Sequence, residues 1–177
     1  MKKILIATLI SAPAAILSIA ANAADGTINF QGQVVDAACS VSANSINQTV
    51  ILDQVRTSAF TAAGELANQS KSFQISLADC DTAVSQTAQI SFNGATDAND
   101  ASLLANTAGA GAAQNVGLAL FGSDGAPVGI NDGTLTSAVS IQDGTTIIPL
   151  SVDYKSTTAV PTPGPVTSVA TFSVTYN

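Results

Sequence analysis

Cys39 and Cys80 are the only cysteines in the chain, and no histidine accompanies them. Histidine-based nucleophilic triads and histidine metal sites are therefore excluded, because neither a neutral imidazole base nor an imidazole ligand is present. Two acidic clusters remain as candidate chemistry, Asp79 and Asp81 in "DCD" and Asp97 and Asp100 in "DAND". Paired carboxylates at such spacing can shuttle protons or hold calcium. Neither cluster sits in a recognisable ligand loop, and short acidic stretches more commonly cap turns. Asn47-Gln48-Thr49 and Asn68-Gln69-Ser70 fit the glycosylation pattern, which occurs often by chance. These residues point away from an enzyme, and no metal, cofactor or small-molecule substrate is expected.

The chain starts with Lys2 and Lys3, runs through apolar stretches at 4–10 and 12–21, and reaches Ala21-Asn22-Ala23. A basic start, an apolar middle and small residues before a break predict a secretory signal peptide over residues 1–23. Residues 24–177 then form the exported product. Export places Cys39 and Cys80 where disulfides persist, so they are expected to pair. In the loop-entropy picture a closure across that separation stabilises the fold by about 4 kcal/mol. After the signal, twelve carboxylates face three cations, Arg56, Lys71 and Lys155. Such a surface repels phosphate backbones, which argues against nucleic acid as a partner.

Beyond residue 23, helical periodicity is scarce and two-residue alternation is frequent, the signature of an all-β domain. Strands are expected over 28–35, 39–41, 49–52, 73–77, 88–92, 116–121, 145–154 and 169–176. Asn93-Gly94, Asp124-Gly125, Asp132-Gly133 and Asp143-Gly144 supply turn signals between them. Short strands with these turns predict an immunoglobulin-like sandwich. The small-residue stretch 105–113 reads as a surface loop too small-sided to pack well, and "PTPGP" at 161–165 interrupts the approach to the last strand.

The two ends carry the most information. Ile28, Phe30, Gly32 and Val34 share one face of the first strand, and Ala170, Phe172, Val174 and Tyr176 share one face of the last. Glycine inside a strand weakens packing unless another backbone or a shallow surface must come close, so Gly32 stands out. These ends resemble those of the major pilin subunits of the chaperone–usher family, close to the type 1 fimbrial major subunit. The resemblance rests on "GTINFQGQVVDAACSV" at 26–41, "QTVILDQVRTSAF" at 48–60, "ISLADCDT" at 75–82, "NVGLALF" at 115–121 and the ending "ATFSVTYN". In that family a glycine fourteenth from the C-terminus and a penultimate tyrosine mark the subunit, which here are Gly164 and Tyr176.

The resemblance implies an incomplete immunoglobulin-like β-sandwich over 37–177, preceded by a donor-strand extension at 24–36. A periplasmic chaperone would fill the groove first. At the outer-membrane usher, the extension of the next identical subunit would then replace it. Ile28, Phe30 and Val34 would be donor side chains, and Gly32 would meet a shallow part of the groove. Gly164, Phe172, Val174 and Tyr176 would form the accepting edge and serve chaperone and usher recognition. The product would be a head-to-tail homopolymer, joined to other fimbrial subunits and a tip adhesin, exported through the periplasm to the cell surface as an adhesive fimbria.

Two other readings compete with this one. A minor adaptor or tip subunit differs from a major subunit chiefly in abundance, and a tip adhesin would need a further N-terminal lectin domain. A self-contained secreted sandwich that binds carbohydrate would display exposed aromatics, yet the chain has no tryptophan and only Tyr154 and Tyr176. Such a domain would stay a stable monomer without residues 24–36.

Overall fold

The computed structural model describes residues 28, 29, 31, 32, 34 and 37–177. The signal peptide expected over 1–23, and Phe30 in the expected donor strand, lie outside the described residues. The chain divides into Met1–Val34 and Val35–Asn177. In the first unit Ile28, Asn29, Gln31, Gly32 and Val34 carry no strand assignment, and Ile28 and Val34 are 77 % and 100 % exposed. The strand expected at 28–35 is thus not formed at these positions. Alternation specifies which face a strand would bury, but a strand exists only where a neighbouring edge supplies hydrogen bonds.

The second unit is a two-sheet sandwich. Its strands are β1 (Ser40–Val41), β2 (Lys71–Cys80), β3 (Thr87–Gly94), β4 (Leu104–Ala105), β5 (Val116–Phe121), β6 (Pro127–Val128), β7 (Val139–Ser140), β8 (Gly144–Ser156) and β9 (Ala170–Tyr176). One sheet has the order β1-β2-β8-β5-β4, with β6 also on β5, and the other has the order β7-β3-β9. Every ladder is antiparallel. Two short helical turns were not foreseen, α1 (Ala43–Ile46) and a 3-10 turn at Thr57–Ala59. Each is a single turn, too short for an apolar period to show in sequence.

Alternation builds the core from both sheets. Ile75 and Leu77 of β2, Ile148, Leu150 and Val152 of β8, and Leu118 and Leu120 of β5 meet Ala88, Ile90 and Phe92 of β3. Cys39 and Cys80 form a disulfide. It ties the start of β1 to the end of β2, beside the pairs Ser40↔Ala78 and Val41↔Leu77. Three of the foreseen turns use glycine in the left-handed region, with φ of 77° at Gly125, 75° at Gly133 and 88° at Gly144. Asn93-Gly94 is instead the end of β3, where the Asn131 side chain donates to the Gly94 carbonyl and accepts from its amide.

Two expectations need correction. Residues 49–52 form no strand. They keep the alternation, Val50 and Leu52 packing on the core while Ile51 is 77 % exposed, but they have no ladder partner. The small-residue stretch 105–113 is a surface loop as expected, with Thr107 and residues 109–111 exposed, but it packs better than its small side chains suggest. The Thr107 amide donates to the Thr167 carbonyl and the Ala113 amide to the Pro165 carbonyl, and Ala113 is buried. Small side chains let two backbones approach closely enough to pair, so poverty in side chains here promotes packing.

Candidate groove between the last strand and residues 49–55

β9 follows the proline-rich segment 161–165 and is built of β-branched and aromatic residues that suit a pleated edge. It pairs along its whole length with β3, from Ala88↔Tyr176 to Gly94↔Ala170. Among the described residues its other edge has no ladder. Phe172, Val174 and Tyr176 point to the core but are only half-buried, and Thr171, Ser173 and Thr175 are exposed.

The segment 49–55 packs on the same core through Val50 and Leu52 and lines a cavity with residues 161–166, which lead towards β9. Among the described residues the segment's seven members make no backbone–backbone hydrogen bond. Its one backbone partner is the Tyr154 hydroxyl, which donates to the Asp53 carbonyl at 3.2 Å. Backbone amides and carbonyls are obligatory hydrogen-bonding groups. A half-buried sheet edge, together with a core-packed segment whose backbone is unpaired, marks a sandwich that lacks a strand.

The two ends of this groove differ. At one end the Tyr176 hydroxyl donates to the Cys39 carbonyl at 3.1 Å, joining the last strand to the disulfide. The adjacent Asn177 carbonyl accepts from the amides of Gln86 and Thr87, so the C-terminal residue is held in place. Burial raises the Tyr176 phenol above its ordinary value, which keeps it a neutral donor at neutral pH. At the other end a cavity of about 650 Å³ opens between Leu52, Val55, Phe60, Val116, Tyr154 and Val166.

Gly164 lines that same cavity. A Cβ placed on it would lie 2.4 Å from the Ala113 amide nitrogen and 2.4 Å from the Gly111 carbonyl oxygen. Its lack of a side chain is what lets 162–167 lie on 106–114 and shape the wall. Of the residues singled out in sequence, Phe172, Val174 and Tyr176 share the half-buried face of β9, and Gly164 lines the cavity that precedes that strand. Ile28, Gly32 and Val34 belong to the other unit, where a Cβ on Gly32 would meet nothing within 4 Å. Phe60, Tyr154 and Arg56 at the cavity had no role assigned from sequence; Arg56 and Phe60 lie in the motif "QTVILDQVRTSAF", and Tyr154 ends the strand expected over 145–154.

The acidic clusters serve turns. Asp97 accepts from the amides of Asn99 and Asp100, Asp81 accepts from the Ala83 amide, and Asp100 holds Ser102 and Lys155. Asp79 itself adopts φ of 53°. Among the described residues, no group of three His, Cys, Asp or Glu side chains is placed to hold a metal.

The family model described as "Fimbrial protein" matches residues 28–177. The chain is 40 % identical over 164 residues to the type-1 fimbrial protein, A chain, of Escherichia coli (strain K12), covering 92 % of this chain and 89 % of that protein. It is 35 % identical over 176 residues to the probable major fimbrial subunit LpfA of Escherichia coli O157:H7, covering 99 % and 97 %. Among solved structures, a chaperone–usher pilus structure concerned with rod uncoiling superposes with a TM-score of 0.69 at 26 % identity, covering 87 % of this chain and 96 % of that one. The P pilus rod subunit PapA superposes with a TM-score of 0.65 at 25 % identity, covering 80 % and 100 %. The chain belongs to the fimbrial protein family, and it is a structural pilus subunit.

Proposed function

We propose that this subunit polymerises by donor-strand exchange, residues 24–36 of one copy completing the sandwich of the next. The observation that carries the reading is the unpaired edge of β9, to which the unpaired backbone of the core-packed segment 49–55 adds a second free backbone. Strand addition to such an edge uses main-chain hydrogen bonds for affinity and alternate side chains for fit. Ile28, Phe30 and Val34 enter the groove, contributing about 5 to 9 kcal/mol of apolar burial before ordering costs. Gly32 crosses a part too shallow for a side chain; among the described residues its own chain does not require glycine there.

A fibre follows because the contact is heterologous and does not close on itself. Before exchange, a periplasmic chaperone covers the half-buried Phe172, Val174 and Tyr176, and an outer-membrane usher hands the subunit on. Residues 1–23 direct export, and the fibre, carrying other fimbrial subunits and a tip adhesin, stands on the cell surface and supports adhesion.

The test is expression of the full chain in a bacterial periplasm with and without a pilus chaperone, followed by sizing and by SDS gels of unheated and boiled samples. A chaperone complex that chases into SDS-resistant ladders, and fails to do so when 24–36 are deleted, is the expected result. A stable lone monomer under both conditions overturns the reading.

A further inference from the structure

The exported part of the chain holds three cations, and two are committed. Lys71 pairs with Asp53 at 3.1 Å and Lys155 with Asp100 at 2.9 Å. Arg56 is exposed and, among the described residues, has neither an ion pair nor a side-chain hydrogen bond. It also lines the cavity at the open end of the groove.

The geometry points to a specific partner for Arg56, which is Asp36 of the next copy of this chain. The inference rests on donor-strand exchange as proposed above. The body of the donating subunit begins at its disulfide, joined to Val34 by only residues 35–38. β9 starts at Ala170, shortly after the cavity-lining residues 161–166, and ends at Tyr176, so a strand laid antiparallel to it finishes at the cavity. Antiparallel to β9, the more stable pairing, the donor strand therefore reaches the cavity with its Val34 end.

Asp36 follows Val34 by two positions, so it projects from the same face as Ile28, Phe30 and Val34 and lies about 7 Å further along an extended chain. With Val34 in the cavity, Asp36 arrives at the rim that Arg56 occupies. Asp25, the other acidic residue of the extension, has the opposite parity and lies at the far end. Each joint of the fibre thus contains one ion pair, which sets the register of the incoming strand and speeds its capture by an otherwise acidic surface.

The test uses the full chain with its chaperone and usher, and compares Arg56→Glu, Asp36→Lys and the double exchange. Each single variant is expected to slow ladder growth about two- to fivefold at low ionic strength. That loss fades in about 0.5 M salt. The double variant recovers most of the wild-type rate. Should Arg56→Glu fail to accumulate, Arg56→Gln gives the same slowing without reversed charge. Arg56→Cys with Asp36→Cys is expected to give covalent ladders that survive boiling without reductant; a covalently closed monomer overturns the pairing. Single variants at the wild-type rate, or a double variant no better than the worse single one, also overturn it. If deletion of 24–36 still abolishes ladders in those cases, only the ion pair has failed. If the deletion variant polymerises, donor-strand exchange has failed with it.

Discussion

β3 and β9 lie side by side in one sheet, with the same alternation and matched apolar residues, yet they are buried to different depths. Ala88, Ile90 and Phe92 are buried, whereas their partners Tyr176, Val174 and Phe172 are only half-buried. Ile90 has β9 on one side, Thr136 on the other, whose amide donates to the Ile90 carbonyl and whose hydroxyl accepts from the Ile90 amide, and the other sheet above. Val174 has β3 on one side and an open edge on the other. The difference comes from neighbours and not from residue type, since Ile and Val gain comparably from burial. An edge this apolar is normally blunted by charge, proline or a bulge, and β9 has none of these. Under the proposed donor-strand exchange, the exposed edge is what the polymer uses.

The sharpest way to break this comparison is to truncate matched residues on the two strands. Ile90→Ala is expected to cost about 2 to 5 kcal/mol in guanidinium unfolding of the refolded monomer, because it opens a cavity in a closed core. Val174→Ala should cost well under half of that in the monomer, but should lower the heat dissociation temperature of fibres, where a partner strand covers it. Equal monomer losses would mean that the β9 face is already complete in the free subunit.

A smaller effect is expected at the groove wall. Gly164→Val places a Cβ against the backbone of 111–113 and should destabilise the subunit by about 1 to 3 kcal/mol through displaced packing. Hydrogen exchange should show the loss concentrated at the Ala113 and Thr107 amides, which pair with Pro165 and Thr167. Uniform loss across the sandwich would show that the wall has no separate role.

The smallest effect lies away from the groove, at Asp100. Its carboxyl is held below the usual range first by the Ser102 hydroxyl and then by Lys155. A lowered folded value stabilises the protein above the unfolded value and loses that contribution as pH falls through the folded one. Asp100→Asn should therefore cost about 0.5 to 1 kcal/mol at pH 7, and the gap from wild type should close in acid. A gap that persists below both values would assign the effect to packing of the 97–105 segment.

The sandwich was legible in sequence where a strand has at least one ladder partner. The stretches 73–77, 88–92, 145–154 and 169–176 alternate, 116–121 is a continuous run without polar residues, and each lies within or nearly matches a real strand. The stretches 28–35 and 49–52 alternate just as clearly. Residues 49–52 carry no ladder, nor do the described positions of 28–35. Period two reports which face is apolar and not whether an edge is available. The disulfide was legible because export and cysteine count leave one pairing. The cavity was not, because it joins 52–60 to 113–116, 154 and 161–166, segments distant in sequence.

What the sequence determined by itself was local: alternation, turn glycines, a single cysteine pair, the absence of histidine, and two apolar ends of matching period. Hydrophobic pattern and backbone sterics act within a few residues, so they can be read in order along the chain. Only the tertiary structure decided that β9 pairs on one side alone, that 49–55 lies against the core with an unpaired backbone, and that Tyr176 closes one end of the groove while Gly164 shapes the other. These depend on which distant segments come to lie beside each other, and that follows from burying the whole core at once and not from any one stretch of residues.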